Sequence, residues 1–489
     1  MKQKYPDGYV LAPGTVIISA AAQCSDVKNI IKPVATASGG DLYYIDFAQD
    51  KFHLGGSSFA QSIDKIGNNT PSVQDAAYFK IAFNTVQEHI KEGEITAGHD
   101  IGSGGMITSL LELCFPSTSI GMHLDFSGLE EFDLIKILFS EKVGLILQSK
   151  NDLTASFAKK GIRAVAIGTI TQNNKLTIGE HEFSIPALRK IWMTTSTQLE
   201  AKQTHPDLAA IRADNVVEQP LKFNFPKQFD GKKPTEKNKK IKAVVIREKG
   251  SNSEREMAYM MDLSGFEVRD VHMTDLIEGR ETLEDIQLLV AVGGFSNSDV
   301  LGSAKGWAGA FKYNLKAKKA IENFFHRSDT LSLGVCNGCQ LFIELGLLTP
   351  NYKKQPKMLH NASGKFECIF TAINIQKSKA VMLEGLEGST LGIWAAHGEG
   401  KFSFPETEDN YQIPAKYLYS DYPSNPNGSD FNAAMLASDD GRHLVMMPHL
   451  ERSIFSWNWG HYPQNRKDEV SPWTMIFENA FFWLERNVS

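Results

Sequence analysis

The feature that most constrains the fold is a short apolar run that ends in small residues around a cysteine. Residues 331–335 (LSLGV) are typical of a strand buried on both faces of a sheet. The run continues into GVCNG (334–338), and residues 340–345 then carry apolar side chains at helical spacing. Small residues on both sides of a nucleophile are what a sharp strand-to-helix turn requires. The sequence therefore predicts such a turn, with Cys336 as a candidate nucleophile.

The predicted position of Cys336 at a helix start affects its chemistry. Free N–H groups there create a positive potential that favours the thiolate, the reactive form of cysteine. Two other functions fit the Cys336-x-x-Cys339 spacing: half of a zinc site and a thioredoxin-like dithiol. The zinc site is disfavoured because no second C-x-x-C pair completes a tetrahedron, whereas the dithiol stays open on spacing alone. The remaining cysteines are isolated: Cys24, Cys114 and Cys368.

A histidine and a glutamate follow a second apolar run. Residues 444–447 (LVMM) predict a strand, and His449 and Glu451 come just after it. One residue separates the two, so an extended backbone would direct both side chains the same way. Acyl transfer from a thiolate needs a base, and the base needs an acid to orient it. We therefore predict a triad in which Glu451 fixes the tautomer of His449 and His449 exchanges a proton with Cys336.

Candidate donors for a developing oxyanion lie at the ends of two predicted strands. Gly293 and Gly294 follow the apolar run 288–292, and without a Cβ their N–H groups can approach a substrate closely. The backbone N–H of Asn337, the residue after the nucleophile, is a natural second donor. Gln340, in the helix that follows, is a further candidate substrate-binding residue.

A glycine-rich segment in the first half is a candidate phosphate site. Residues 97–106 (AGHDIGSGGM) precede a predicted helix, and glycines at such a position let backbone N–H groups approach an anion. Asp100 could hold Mg²⁺ beside a phosphate. The alternative is a plain tight turn, which is common before helices.

Alternation of strands and helices in both halves predicts two α/β domains. We place the first at residues 1–220 and the second at 241–489, with a Lys- and Pro-rich linker at 221–240. Repeated strand–helix units in the second domain predict an open, mainly parallel sheet with sites at the carboxyl ends of its strands. The spacing Ser253-x-x-Glu256 predicts a capping box at the start of one of its helices.

Charge and composition narrow the class of protein. A net charge of −6 argues against a general nucleic-acid binder. No apolar run approaches the roughly 20 residues that a membrane span requires. Five cysteines give no disulfide framework and favour a reducing compartment, so we expect a cytoplasmic protein that binds neither nucleic acid nor membrane.

The second half resembles the class I glutamine amidotransferases, in which cysteine, histidine and glutamate form the triad. The resemblance rests on four phrases in particular: GGFSNSD (293–299), GVCNGCQLF (334–342), AAHGEGKF (395–402) and MMPHLER (446–452). Within that superfamily the phrases are most similar to the phosphoribosylformylglycinamidine synthase family. Asn297, Ser298 and Leu450 depart from the usual family residues, and none of them is a proton-transfer group.

The first half resembles the C-terminal domain of the aminoimidazole ribonucleotide synthetase superfamily. The phrases that carry this resemblance are LGGSSFAQ (54–61) and HDIGSGGM (99–106). Asp100 matches the magnesium-associated aspartate of the superfamily. Gly102, the candidate nucleotide-binding position, stands where a serine is usual, and Ser103 where a second aspartate is usual.

Together the resemblances imply glutamine hydrolysis coupled to ATP- and Mg²⁺-dependent conversion of formylglycinamide ribonucleotide to its amidine, in purine biosynthesis. They also imply N-terminal synthetase domains, supplied in the same chain or by a partner. The alternative is a non-catalytic scaffold or regulatory module that keeps a glutaminase-like fold.

Overall fold

Strands and helices alternate along both halves of the chain in the computed structural model, which describes residues 2–11, 17–24, 26, 29–215, 217–235, 241–463 and 465–487. The chain divides into two compact units, Met1–Trp192 and Met193–Ser489. Our domain limits of 1–220 and 241–489 stay a prediction, and residues 236–240 of the predicted linker lie outside the described residues.

The first unit is built on strands of four to eight residues and helices of five to sixteen. Its strands are β1 (Lys2–Tyr5), β2 (Gly8–Leu11), β3 (Asp41–Asp46), β4 (Ile95–Asp100), β5 (Gly121–Leu124), β6 (Gly144–Ser149), β7 (Ala164–Thr171), β8 (Lys175–Ile178) and β9 (His181–Ser184). Its helices are α1 (Ser58–Ser62), α2 (Ala76–Lys91), α3 (Gly105–Cys114), α4 (Leu134–Phe139) and α5 (Thr154–Lys159), and α6 (Ile185–Glu200) continues past Trp192.

Seven of these strands form one sheet in the order β4-β6-β3-β7-β5-β8-β9, with β5 and β8 as its parallel pair. Strand β3 is buried on both faces because its side chains alternate between two cores. Leu42 and Tyr44 pack in the core that includes Leu110 of α3. Tyr43 and Ile45 pack in the opposite core with α2. The unit is therefore an α/β layer structure, as the sequence predicted.

The second unit contains a central group of strands and their helices. The strands are β10 (Ile241–Arg247), β11 (Phe266–His272), β12 (Leu288–Ala291), β13 (Leu331–Val335), β19 (Met435–Ala437) and β20 (His443–Met446). The helices are α7 (Pro206–Asn215), α8 (Glu254–Leu263), α9 (Met273–Glu278), α10 (Lys305–Tyr313), α11 (Leu315–His326), α12 (Asn337–Leu345) and α13 (Met475–Asn487).

These six strands form an open sheet in the order β11-β10-β12-β13-β20-β19. Every neighbouring pair is parallel except β19–β20, so the mainly parallel sheet predicted for this half is confirmed. Strands β12, β13 and β20 are adjacent, and their buried apolar residues fill both faces, as a covered parallel sheet requires. Their carboxyl ends therefore meet at one edge, where side chains from three distant parts of the sequence converge.

Five strands between residues 357 and 417 were not predicted. They are β14 (Lys357–Leu359), β15 (Glu367–Ile375), β16 (Thr390–His397), β17 (Lys401–Ser403) and β18 (Ala415–Tyr417). They form a three-stranded antiparallel sheet, β16-β15-β18, and an antiparallel pair, β14–β17. The end of β16 approaches the parallel sheet, since the N–H of His449 donates to the carbonyl of Trp394 at 2.7 Å.

Residues 221–235, the described part of the predicted linker, belong to the second unit and pack on its other residues. Asn224 exchanges backbone hydrogen bonds with Thr390, of 3.0 and 2.8 Å. Phe229 is buried in the core of that unit, and Phe223 packs on Trp459 with ring centroids 5.0 Å apart. Three aromatic residues in seven positions anchor this segment although its composition is Lys- and Pro-rich. Within the described ranges, no helix combines the length and apolar character needed to cross a bilayer.

Candidate active site

The turn between β13 and α12 holds Cys336 in a strained backbone conformation. Its φ of 53° and ψ of −106° lie in a region that L-residues rarely occupy. Its N–H donates to the carbonyl of Met446 on β20 at 2.8 Å, which fixes the turn to the neighbouring strand. The side chain is 5% exposed, and its Sγ lies 3.8 Å from the carbonyl oxygen of Ala396. The strand-to-helix turn predicted around Cys336 is present.

Close approach of two backbones explains the glycine after this turn. A Cβ on Gly338 would lie 2.0 Å from the carbonyl oxygen of Ala291, at the end of β12. Any side chain there would push α12 away from the sheet and with it the turn that carries Cys336.

Replacement of Gly338 by alanine is expected to lower the free energy of unfolding by about 1–3 kcal/mol, because the new methyl group overlaps a carbonyl oxygen. Urea denaturation measures the change. The matched control is Gly309→Ala in α10, where the nearest atom is 4.0 Å away and alanine should stabilise the helix by about 0.5–1 kcal/mol. Equal stability of the Gly338 variant and the wild type would contradict the close packing of α12 on β12.

His449 and Glu451 form a buried pair just beyond β20. The His449 Nδ1 and Glu451 Oε1 atoms are 2.6 Å apart, and the two side chains are 1% and 0% exposed. Burial disfavours the imidazolium, but the charges of Glu451 and Cys336 outweigh it and raise the pKa of His449 to about 10. Burial alone would raise the pKa of Glu451, yet the charge of His449 holds it below the ordinary value. The pair therefore favours an imidazolium–carboxylate state beside the sulfur of Cys336.

A cavity of about 190 Å³ brings the thiol and the imidazole together. Cys336, Gln340, Gly294 and His449 all line it. The Nε2 atom of His449 has no hydrogen-bond partner in the described part of the chain. Nδ1 is engaged by the carboxylate, so Nε2 is the ring nitrogen left for proton transfer within the cavity.

Gly293 borders both Cys336 and His449. A Cβ on Gly293 would lie 2.8 Å from Cε1 of His449 and 3.4 Å from Cβ of Cys336. Its carbonyl accepts from the N–H of Asn252 at 2.9 Å. Gly294 has a φ of 133°, where glycine is favoured, and a Cβ there would lie 2.5 Å from the carbonyl oxygen of Gly250. The two glycines therefore bring bare backbone to the edge of the cavity.

The side chains of Asn337 and Gln340 are held by the protein. Asn337 accepts from the N–H of Ser296 at 3.2 Å and donates to Oε1 of Gln340 at 3.0 Å. Gln340 in turn donates to the carbonyl of Glu399 at 2.8 Å. Both amides thus join the loops after β12 and β16 to the first turn of α12. Gln340 lines the cavity, but its side-chain amide is already hydrogen-bonded within the protein.

Cys339 lies one turn below the nucleophile position and faces the core. It is fully buried, and burial together with the charge of Cys336 raises its pKa well above the ordinary value. A resolving thiol in a redox dithiol needs access and thiolate character. The dithiol hypothesis that the spacing left open is therefore disfavoured.

His397, at the end of β16, is a cavity residue that the sequence reasoning did not single out. It is 3% exposed, and neither ring nitrogen has a hydrogen-bond partner among the described residues. Burial and the nearby charge of His449 lower its pKa to about 3, so the ring is neutral at pH 7. The signal that could have found it was the phrase AAHGEGKF, in which it occupies the third position.

Asp100 and Gly102 lie in the first unit, at the end of β4 and in the turn before α3. The Asp100 side chain is 82% exposed and lies 3.5 Å from Nδ1 of His99. Gly102 has open space where a side chain would begin. Among the described residues, one group of three possible metal ligands has its ligand atoms within 4.8 Å of one another: His89, Glu92 and Glu94. Asp100 is not part of this group.

A carboxylate occupies the position that we predicted for a phosphate. Oε1 of Glu141 accepts from the N–H of Gly104, at the start of α3, at 2.9 Å. The same oxygen accepts from the N–H of Ser58 at 2.8 Å. Burial alone would raise the pKa of Glu141, but these two N–H groups hold it below the ordinary value. The glycine-rich turn is therefore satisfied by an internal anion.

Comparison with known proteins places both units. A family described as the CobB/CobQ-like glutamine amidotransferase domain matches residues 240–484, and the AIR synthase related protein C-terminal domain matches 48–180. A probable phosphoribosylformylglycinamidine synthase from Arabidopsis thaliana is 39% identical over 98% of this chain and 37% of its own length. The Homo sapiens phosphoribosylformylglycinamidine synthase is 34% identical over 97% of this chain and 39% of its own length.

A solved structure of PurLQS from Thermotoga maritima is 24% identical to this chain and has a TM-score of 0.40. The match covers 50% of this chain and 100% of the chain in the solved structure. The chain thus spans less than half the length of the curated relatives that it matches.

Proposed function

The chain belongs to the family of proteins with a CobB/CobQ-like glutamine amidotransferase domain, and on that premise we propose that it hydrolyses glutamine through a cysteinyl thioester. The observation that carries the proposal is the shared cavity of Cys336 and His449, with Glu451 bonded to the far side of the imidazole. A thiol, a base and an orienting acid are the groups that amide hydrolysis by a thiolate needs.

In the proposed reaction the Cys336 thiolate attacks the carbon of the side-chain amide of glutamine. The negative oxygen that forms is stabilised by backbone N–H groups of Gly294 and Asn337, with Gly293 leaving the necessary space. The His449 imidazolium gives a proton to the departing ammonia as the carbon–nitrogen bond breaks, leaving a γ-glutamyl thioester. His449 then takes a proton from water, which attacks the thioester and releases glutamate and the thiol.

Glu451 keeps the imidazole in position throughout this cycle and does not itself exchange a proton.

A non-catalytic scaffold is the weaker alternative. A buried carboxylate and imidazole are costly to desolvate and give a scaffold no evident benefit in return. The strained turn at Cys336 also argues against a scaffold. Such strain costs about 1–3 kcal/mol and is concentrated at functional sites.

The names of the relatives extend the proposal to purine biosynthesis. We propose that the ammonia serves the ATP-dependent conversion of formylglycinamide ribonucleotide to formylglycinamidine ribonucleotide, with Mg²⁺ on the phosphates. Asp100 is the proposed magnesium ligand and Gly102 the proposed nucleotide-facing position of the first unit.

The described residues around Asp100 do not fit a complete nucleotide site. Asp100 is a lone exposed carboxylate, and the adjacent helix N-terminus already binds Glu141. Phosphoryl transfer requires several convergent donors together with the metal. We propose that these come from further synthetase domains, in the same polypeptide or in a partner. All five cysteines are free thiols, which suits a reducing compartment, and a cytoplasmic location stays a prediction.

We expect the purified chain to release glutamate from glutamine slowly and to form no amidine product. The physical reason is that the acceptor site is incomplete, so ammonium salts should not restore synthesis. The assay supplies ATP, Mg²⁺, formylglycinamide ribonucleotide and either glutamine or ammonium, and measures glutamate, ADP and amidine. Absence of glutamate release would refute the proposed hydrolysis. ADP and amidine above background would show that the first unit holds a complete synthetase site.

A further inference from the structure

A stretch of chain between the two matched domains has no part in the proposed chemistry. The first family match ends at residue 180 and the second begins at residue 240. Between them we define the connecting segment as residues 200–215 and 217–220, which contains the end of α6 and all of α7. A passive linker is solvated and makes few fixed contacts. The connecting segment instead makes a series of specific contacts with other residues of the second unit.

Two donors of the connecting segment meet at one buried carbonyl. The hydroxyl of Thr204 donates to the carbonyl of Ser363 at 2.9 Å, and the N–H of His205 donates to the same oxygen at 3.3 Å. Thr204 and Ser363 are 8% and 2% exposed, although they are 159 residues apart in the chain. A buried carbonyl that loses its donor stays desolvated, so such hydrogen bonds hold the backbone in place.

A partly buried ion cluster fixes the residues that follow. One carboxylate oxygen of Glu200, at the end of α6, is bonded both to Lys365 and to Arg212 of α7, the latter at 3.0 Å. The side chains of Glu200 and Lys365 are 18% and 22% exposed. Burial alone would raise the pKa of Glu200, but the two cations hold it below its ordinary value. The carboxylate is therefore charged at neutral pH and ties Lys365 to both helices.

The end of α7 binds a second loop of the unit. Asn215 donates to the carbonyl of Tyr422 at 2.8 Å, and the hydroxyl of Tyr422 donates to Glu367 at 3.1 Å. Glu367 of β15 is the register partner of His397 of β16. Contacts thus run from α7 to the strand that ends at the cavity.

Asn361 connects the anchored residues to one wall of the cavity. It is 3% exposed, and its side chain donates to the carbonyl of His397 at 2.7 Å and accepts from the N–H of Gly400 at 3.0 Å. Its own N–H donates to the carbonyl of Gly398 at 2.9 Å. Residues 397–399 line the cavity, whereas Asn361 is not among the described lining residues. Three hydrogen bonds from one side chain and its backbone therefore set the position of this loop.

We propose that the connecting segment is a positioning element of the active site, with Thr204 and Asn361 as its positioning residues. The segment holds residues 361–367, and Asn361 in turn holds the loop at 397–400. This inference rests on the proposed glutaminase function. A site binds a small substrate well only when its walls are held precisely, so contacts behind a wall contribute to activity.

Substitution of Thr204 in the full chain tests the inference. Thr204→Val removes the hydroxyl and keeps the branched shape, and it should raise KM for glutamine by about 3- to 10-fold with a smaller change in kcat. Thr204→Ser keeps the donor and should retain the KM of the wild type. The control is Thr195→Val, at an exposed position of α6, which should change neither constant. All four proteins are compared at a temperature where each is folded.

Hydrogen exchange provides a measurement that does not depend on turnover. Because Asn361 protects the N–H of Gly400, exchange in residues 397–402 should be several-fold faster in Thr204→Val than in the wild type. Exchange in Thr204→Ser and Thr195→Val should equal that of the wild type. Unchanged exchange of this loop in Thr204→Val would overturn the inference. An equal rise across the parallel sheet would also overturn it, since Thr204 would then act on overall stability.

The two measurements separate this inference from the proposed function. If the wild type releases no glutamate but the loop responds as expected, the proposed function fails and the positioning of the loop by the connecting segment stands. If the wild type hydrolyses glutamine and Thr204→Val keeps its KM, the inference fails and the proposed function stands.

Discussion

Replacement of Cys336 by serine is expected to abolish glutamine hydrolysis. A serine hydroxyl at neutral pH is a far weaker nucleophile than a cysteine thiolate, and the side chain of residue 336 shares its cavity with His449. Loss of a nucleophile of this kind costs on the order of 10⁴-fold in rate or more. Glutamate release measures the loss. Mass spectrometry after treatment with a glutamine-analogue electrophile should find label on Cys336 of the wild type and on no other cysteine.

Cys339→Ser is the matched control, because Cys339 is three residues away in the same motif and is fully buried in α12. That variant should keep most of the activity. If the two substitutions were equally damaging, the dithiol hypothesis would gain and the triad assignment would be wrong.

His449→Ala is expected to reduce hydrolysis by about 10⁴-fold or more, and Glu451→Gln by a smaller factor. The imidazole transfers the proton in both halves of the proposed reaction, whereas the carboxylate positions it and stabilises its charge. Single-turnover release of ammonia and glutamate measures both variants. The losses should not add in the double variant, since the two side chains act as one unit.

His443→Gln provides the control, because His443 is a buried histidine on β20, the strand that leads to His449. His443 begins β20, and its Nδ1 lies 2.9 Å from Oγ of Ser332, away from the residues that line the cavity. This variant should keep the rate of the wild type at a temperature where it is folded. An active His449→Ala variant would remove His449 from the role of base.

The parallel sheet could be predicted from local sequence because each strand carries its own signal. The runs before Gly293, Cys336 and His449 are mainly apolar and four or five residues long. Two of them are followed at once by glycine or proline, and the third leads into the small residues around Cys336. The carboxyl ends of parallel strands lie at one edge of a sheet, so these segments were expected to meet there. The geometry at Cys336 needed only the small residues on either side of it.

The antiparallel layer could not be predicted in this way. Strands β15 and β16 pair over eight positions, but that register is set by contacts between distant residues and not by a local period. Because β16 supplies Ala396 and His397 and the following loop supplies Glu399, one wall of the cavity was missed with it.

At two places a residue distant in sequence makes the contact that the sequence predicted for a local group or a ligand. The capping box at Ser253 is wrong: this residue has a φ of 69° and makes no side-chain cap, and its hydroxyl instead accepts from Arg452. The phosphate turn near Asp100 meets an internal carboxylate, Glu141, which follows α4 and is 37 residues beyond Gly104. In both places a partner distant in sequence replaces the local one, and a local pattern contains no information about such a partner.

The separation in sequence between the strands that precede Cys336 and His449 has a consequence for synthesis of the protein. Ser332 on β13 and His443 on β20 are hydrogen-bonded neighbours, yet they are 111 residues apart in the chain. The entropy cost of closing so long a loop must be met before the contacts between the two strands can stabilise the sheet. A polypeptide still emerging from the ribosome therefore carries the Cys336 thiol through 113 further residues of elongation before the His449 imidazole is added. If Cys336 and His449 act together as proposed, their site is assembled only when β20 has been made and has paired with β13.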